Sequence, residues 1–217
     1  MGADRVALPR RVISRRTLSG APETVAPLLL GAVLVHDTPE GRVAVRLTEV
    51  EAYAGESDQA SHAWRGATPR SRVMFGPPGH AYVYFSYGVH WCMNVVTRPE
   101  GVASAVLLRG GEVVDGLALA RARRGGASDR DLARGPGRLC QALGLTGSDT
   151  GTDVCDPEGR VRLLARPRPP VATVAGPRVG ITRAVDVPWR FWIAGDRFVS
   201  GPRAAPERTP GRARPVP

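Results

Sequence analysis

The run HAYVYFSYGVHWCMNVVT, residues 80–97, constrains the fold more than any other stretch. Tyr82 and Tyr84 alternate with Val83 and Phe85, the period of a strand whose two faces meet different surroundings. The alternation breaks at Tyr87-Gly88, where glycine supplies the positive φ that a tight hairpin turn needs. A second strand follows. The run therefore reads as a β-hairpin with a tyrosine at its tip, a side chain suited to wedging between stacked bases. The hairpin register is not set by sequence, so the side chains that face Asn94 stay open at this level.

Upstream, residues 42–53 alternate as cleanly. Val43, Val45 and Leu47 share one parity, with Arg46 and Thr48 on the other. If this strand runs on without a bulge, Glu49, Glu51 and Tyr53 continue the apolar parity and carry two carboxylates to the rim of a buried face. Such carboxylates are costly unless paired, hydrogen-bonded or used. The alternative is a strand that ends at Val50 and leaves both glutamates solvated.

Residues 21–31 read as a short helix opened near Pro22 and closed by Gly31, and 32–36 as a strand leading to the turn Pro39-Glu40-Gly41. Residues 101–109 read as a buried strand and 112–124 as a helix ending in Arg121, Arg123 and Arg124. Gly135-Pro136-Gly137 leads into a helix over 138–145, and 161–164, 178–182 and 189–195 read as short strands. Glycine (26) and proline (20) are frequent enough to favour short elements over long helices. The expected organisation is a basic, loosely ordered arm over 1–20, one domain over 21–200, and a disordered Pro/Arg-rich tail over 201–217.

Charge narrows the partner. A net charge of +10 points to a polyanion, either nucleic acid or an acidic membrane face. All 30 basic residues are arginine, which a biased genome would also produce. Without lysine, no side-chain amine can form a Schiff base; only the N-terminal amine could. Cys92, Cys140 and Cys155 form no CxxC pair, so neither a disulfide framework nor structural zinc is expected. No apolar run approaches the roughly 20 residues of a transmembrane helix, and the N-terminal segment lacks the apolar core of a signal peptide. The expectation is a cytoplasmic protein, nucleoid-associated when on DNA, with no membrane partner.

Aromatic residues are concentrated. Eight of twelve lie within 49–94, including all four tyrosines, and so do His62, His80 and His90. Ring faces, imidazoles and the glutamate pair thus share one stretch, where chemistry is expected. A helical turn over 56–63 would set Asp58 and His62 at i,i+4, a spacing that suits metal ligation. Two ligands are too few, so no metal is expected. Arg70 and Arg72, in a Thr-Pro-Arg-Ser-Arg loop, suit phosphate contacts. Arg138 would reinforce a phosphate site at the exposed N–H groups of the 138–145 helix.

The chain has no GxGxxG after a strand, GxxxxGK[ST], HExxH or GxSxG, which lowers the weight of nucleotide hydrolysis and serine hydrolase chemistry. What remains fits an enzyme that acts on a base inside a duplex. Such an enzyme must extrude the base, fill the gap, sandwich the flipped ring and hold phosphates. Cleavage of the base from its sugar needs a general base for water, a task Glu51 could perform.

The motifs EVEAY, SHAWRG, TPR, MFGPPGHAYVYFSYGVHWCMNVV, AVLLR, GPGRLCQALGL and RVGIT, in order over about 28–195, resemble the alkyladenine (3-methyladenine) DNA glycosylase family in its bacterial form. The resemblance implies a mixed α/β (α+β) fold: a compact single domain on mainly antiparallel sheet, with a protruding β-hairpin and short flanking helices. It implies that Glu51 activates the attacking water, with Arg109 and the Ile181 carbonyl helping to hold it. Tyr53, His62 and Tyr84 would enclose the flipped base, Asn94 would disfavour guanine, and Tyr87 would fill the vacated space. The implied enzyme is a monofunctional glycosylase needing no metal or diffusible cofactor. Its partner is double-stranded DNA containing damaged purines of the 3-methyladenine, hypoxanthine and ethenoadenine class, and a monomer suffices. A shorter loop after His62, Ser71 after the Thr-Pro-Arg motif, and His90-Trp91 depart from the vertebrate pattern and bear on lesion preference. The alternative is a non-catalytic nucleic-acid-binding module using the same hairpin.

Overall fold

In the computed structural model, which describes residues 8–166 and 171–201, two short helices precede the sheet: α1 (Arg15–Leu18) and α2 (Pro22–Leu29). Ser14 caps α1 by accepting the Thr17 N–H, and Pro22 opens α2 where its missing N–H costs nothing. The loose arm expected over 1–20 is corrected over its described part. Ile13 and Leu18 are buried in the main core, and Val12 bridges to Leu164. These apolar side chains offset the entropy of ordering the backbone around them. Residues 1–7, and the tail expected over 201–217 apart from Gly201, lie outside the described residues.

Among the described residues eight strands follow: β1 (Val33–Thr38), β2 (Gly41–Tyr53), β3 (Ala81–Ser86), β4 (His90–Val96), β5 (Ala105–Asp115), β6 (Val161–Leu164), β7 (Thr173–Gly176) and β8 (Arg190–Ile193). Helices α3 (Leu117–Arg124) and α4 (Pro136–Leu143) lie between β5 and β6. The order is β3-β4-β5-β2-β1-β6, with β8 pairing both β2 and β7, and every pairing is antiparallel. Helix α2 packs on β2, and α4 on β4 and β5. The α+β class, the mainly antiparallel sheet and the β3–β4 hairpin at its edge match expectation. No helix among the described residues is long and apolar enough to cross a membrane.

β2 positions the functional side chains. β5 runs along one edge of it, while the other edge changes partner. Residues 41–46 pair with β1, and 49–51 pair with β8. Near that change the β2/β5 register slips, between Leu47 and Glu49 and again between Glu49 and Val50. Val43, Val45 and Leu47 lie in the main core before the bulge, and Val50 and Ala52 lie in it afterwards. A bulge flips the parity of every later residue. The unbulged strand is therefore corrected: it runs to Tyr53, but Glu49, Glu51 and Tyr53 point away from the main core.

Three other expectations change. β5 begins at Ala105 and continues to Asp115, so the helix expected from 112 starts only at Leu117. Arg46 holds Glu112 in the sheet, donating from Nε at 3.0 Å and Nη2 at 2.7 Å. Residues 178–182 form a loop, and the strand lies upstream as β7, because Arg178 and Val179 spend their donors on β2 and Asp58. Residues 56–63 hold no α-helical turn, only part of a 3-10 turn, Gly55–Ser57.

Gly111 faces Leu47 at the register slip. A Cβ there would lie 2.2 Å from the Arg46 carbonyl oxygen and 2.5 Å from Val45 Cγ1. Gly111→Ala is expected to destabilise the fold by about 1–3 kcal/mol, the usual cost of overpacking. Urea denaturation checks this; an unchanged midpoint would mean that the two backbones do not depend on so close an approach.

Candidate active site

A cavity of about 580 Å³ opens beside the hairpin, lined by Tyr53, His62, Tyr84, Asn94, Arg109 and Ile181, among others. That volume lies within the usual range for small-ligand pockets. Tyr53 arrives from the end of β2, Tyr84 from β3, Asn94 from β4 and Arg109 from β5. His62 comes from the loop after β2 and Ile181 from the 178–182 loop. The fold thus gathers the residues expected to enclose a base.

Glu51 has no exposed surface. Its Oε2 accepts the Tyr53 hydroxyl at 2.8 Å, its Oε1 accepts the Val179 N–H at 2.8 Å, and Arg109 Nη1 lies 3.3 Å from Oε1. Burial and the neighbouring Glu51 charge push the Tyr53 phenol well above its ordinary value, so it remains a donor.

Glu49, two residues earlier on the same face, is equally buried. Its Oε1 takes Nε donors from Arg109 at 2.8 Å and Arg190 at 2.7 Å, while its Oε2 accepts the Ser200 N–H at 2.6 Å. Burial pushes this carboxyl up, but Arg109, the Ser200 N–H and Arg190 outweigh it and hold it below 4.5. Burial likewise lowers the Arg109 guanidinium, and the Glu51 and Glu49 charges reverse that and raise it. Arg109 therefore stays charged between two carboxylates.

The hairpin register sets the opposite wall. Tyr82 faces Asn94 across the pair and Tyr84 faces Cys92. Asn94 is buried and its Nδ2 donates to the Tyr82 carbonyl at 3.4 Å. His62 meets Tyr84 edge-on at 4.6 Å between centroids, and its Nδ1 lies 3.0 Å from the Tyr82 hydroxyl. One side of the imidazole is open to the cavity. Its packed side loses solvation, and the nearby Arg70 charge adds to this, lowering its pKa to about 4. The ring is neutral near pH 7. Burial raises the Tyr84 phenol, which also stays neutral.

At the tip, Tyr87 and Gly88 have φ of 52° and 66°, and Val89 N–H donates to the Ser86 carbonyl at 3.0 Å. Two positive φ angles in a row are the mark of a type I′ turn. Tyr87 is 83% exposed, its hydroxyl 3.4 Å from the Gly180 carbonyl.

The three arginines expected on phosphates differ. Arg70 packs its guanidinium 5.0 Å over the Tyr84 ring and donates to the Phe85 carbonyl at 3.1 Å. Arg72 is exposed. Arg138 is half-exposed and shares Asp131 with Arg134, each at 3.3 Å. Asp58 and His62 do not converge on a common point. Asp58 binds Arg178 instead, with contacts of 2.5 and 2.9 Å. Among the described residues, no three His, Cys, Asp or Glu side chains are grouped for metal binding.

Sequence reasoning missed Glu49 as a partner of Arg109, and missed Arg178, Val179 and Arg190 altogether. A signal existed. Arg178 and Arg190 each sit within otherwise apolar runs, where a buried guanidinium requires a carboxylate. Asp58 and Glu49 were the carboxylates to match to them.

A family model describing methylpurine-DNA glycosylase matches residues 16–197. A Streptomyces avermitilis protein is 52% identical over 215 residues, covering 97% of each chain. A Frankia casuarinae protein is 56% identical over 196 residues, covering 86% of this chain and 90% of its own. A Burkholderia lata protein is 46% identical over 196 residues, covering 89% and 93%. All three carry 3-methyladenine DNA glycosylase as a provisional name.

Glu49→Gln would leave two buried guanidiniums facing a neutral amide, an expected loss of about 3–5 kcal/mol. The sign of the pH effect follows from linkage. A carboxyl held low in the folded state stabilises above its unfolded value and loses that contribution as pH falls through the acidic range. Thermal unfolding of wild type should therefore weaken more steeply below pH 4.5 than that of Glu49→Gln. Parallel curves would count against Glu49 as the linked group.

Proposed function

This chain belongs to the methylpurine-DNA glycosylase family, and from that premise we propose that it flips a damaged purine out of duplex DNA into the 580 Å³ cavity and hydrolyses its N-glycosidic bond with a water activated by Glu51. The observation that carries this reading is the Glu51 carboxylate itself. It is wholly buried beside a cavity walled by Tyr53, His62 and Tyr84, yet kept as an acceptor by the Tyr53 hydroxyl, the Val179 N–H and Arg109. What sets Glu51 apart from the equally buried Glu49 is that two of its partners, Tyr53 and Val179, line the cavity, a placement that favours a catalytic role over a non-catalytic binding module.

Glu51 accepts a proton from water as the water oxygen bonds to the sugar C1′. The C1′–N bond breaks with its electron pair going to the base. A cationic alkylated purine leaves as a neutral molecule, so no acid is needed; neutral hypoxanthine or ethenoadenine takes a proton from solvent as it leaves, and Glu51 returns the proton it accepted to solvent. Arg109 keeps the carboxylate in place and offers positive charge toward the sugar-phosphate. The Ile181 carbonyl, on the loop beside Glu51, would help orient the water. Neutral Tyr53, His62 and Tyr84 suit a cationic base, which is attracted to electron-rich ring faces. Asn94, fixed opposite Tyr82, would crowd the exocyclic amine of guanine.

Tyr87, at an exposed turn, is the side chain to fill the gap left in the stack. Arg70, Arg72 and Arg138 would meet phosphates, Arg70 and Arg138 by exchanging the protein partners that they now hold. With no lysine in the chain, the abasic product meets no side-chain amine, in keeping with monofunctional hydrolysis.

Glu51→Gln should retain binding to duplex DNA holding an abasic site while losing about a thousandfold or more in release of 3-methyladenine or hypoxanthine, the scale of a lost general base and its positioned water. Wild-type release by this variant would sink the mechanism. Tyr87→Ala should weaken binding to hypoxanthine-containing duplex by about tenfold, the worth of one base-stacking contact. A gel-shift titration reads this, and equal affinity would remove Tyr87 from the role.

A further inference from the structure

Two of the groups that hold Glu51 are joined to a third, Arg178, that neither lines the cavity nor bonds Glu51. Arg178 immediately precedes Val179, whose N–H bonds Glu51. Its Nη1 donates at 2.9 Å to the carbonyl of Ala52, the residue between Glu51 and Tyr53. Its guanidinium lies 4.7 Å over the Tyr53 ring and 5.3 Å from that of Trp189. Asp58 grips the same guanidinium with both carboxylate oxygens, at 2.5 and 2.9 Å. It also accepts the N–H groups of Ala54 at 3.2 Å and Ala60 at 3.0 Å, which fixes the start of the loop to His62.

The pair is 0% and 1% exposed. Stability alone does not explain it. The desolvation of a buried pair generally offsets its attraction, and hydrophobic replacement is often neutral. Arg178 Nε is also buried with no hydrogen-bond partner among the described residues, a further cost. What the pair does is tie the end of β2, the 54–62 loop and the 178–182 loop together at one point beside Glu51.

We propose that the Arg178–Asp58 pair is the positioning device of the catalytic carboxylate, holding the Tyr53 hydroxyl and the Val179 N–H on Glu51 in the geometry that hydrolysis uses. This rests on the reading of Glu51 as the base. The charged and titratable groups around Glu51 are Tyr53 and Glu49 from its own strand, Arg109 from β5, Arg190 opposite it on β8, and Arg178 behind Tyr53. Changes at the pair leave Arg109, Arg190 and Glu49 untouched.

The test is single-turnover release of hypoxanthine from duplex DNA by full-length Arg178→Lys and Asp58→Asn, across the acid limb of the pH–rate profile. A carboxylate with displaced donors holds its proton more tightly, so the acid limb is expected to move to higher pH in both variants. The maximal rate should fall by roughly tenfold to a hundredfold, the scale of a small misplacement, with affinity for abasic-site duplex changed by less than about threefold. An unmoved limb in the pair variants, or failure of both to fold, overturns the proposal. Should Asp58→Asn alone not fold, Arg178→Lys, which keeps the charge, decides the matter. Glu51→Gln in the same assay separates the two readings. Retained release there refutes Glu51 as the base. No release there, with unchanged pair variants, refutes only the positioning role.

Discussion

Glu49, a carboxylate with no exposed surface, sits where β2 changes neighbours. On one side β1 leaves the strand and β8 takes its place, and on the other the β5 register slips. Glu49 is bonded from all of these directions: by Arg109 on β5, Arg190 on β8, and the Ser200 N–H beyond β8. An ion in a low-dielectric interior is tolerable only while its partners stay in place. The bulge, the two strands and the segment after β8 are therefore bound to one another. Arg109 reaches past Glu49 to Glu51, so the geometry of the cavity inherits the same constraint.

The aromatic part of the cavity wall is kept neutral. Its phenols, Tyr53 and Tyr84, are pushed away from ionisation, and the His62 imidazole is neutral near pH 7. Aromatic rings supply attraction for a cation without a competing proton of their own. Arg70, Arg109 and Arg183 line the same cavity, Arg70 with its guanidinium 5.0 Å over the Tyr84 ring. An excess of arginine suits a polyanion, and uncharged ring faces suit a cation.

Much of this was legible in the sequence, for definite reasons. The hairpin could be read because alternation and a Tyr-Gly turn are local signals, and its two positive φ angles lie where glycine pointed. Tyr53, His62, Tyr84, Asn94 and Arg109 could be gathered from motifs. The bulge in β2 could not, because it arises from a change of partner strand that no local pattern records. The same holds for the helix expected from 112, where pairing with β2 overrode helical propensity. Residues 178–182 have a strand-like composition, yet their donors are claimed by Asp58, Ala52 and Glu51. The partners of Glu49 escaped notice for a related reason: buried ion pairs join residues far apart, and charge alone does not say which arginine finds which carboxylate.

The late position of β8 has a consequence for the order of folding. The Val179 N–H that bonds Glu51 lies 128 residues further along the chain, and Arg190 lies 141 residues beyond Glu49. Contacts of such separation close slowly, because loop entropy must be met before they contribute. The hairpin, by contrast, pairs residues no more than 14 apart, Ala81 with Val95 at its widest. The wall that carries Tyr84 is therefore set by local pairing, whereas the carboxylate cluster draws its partners from most of the chain's length.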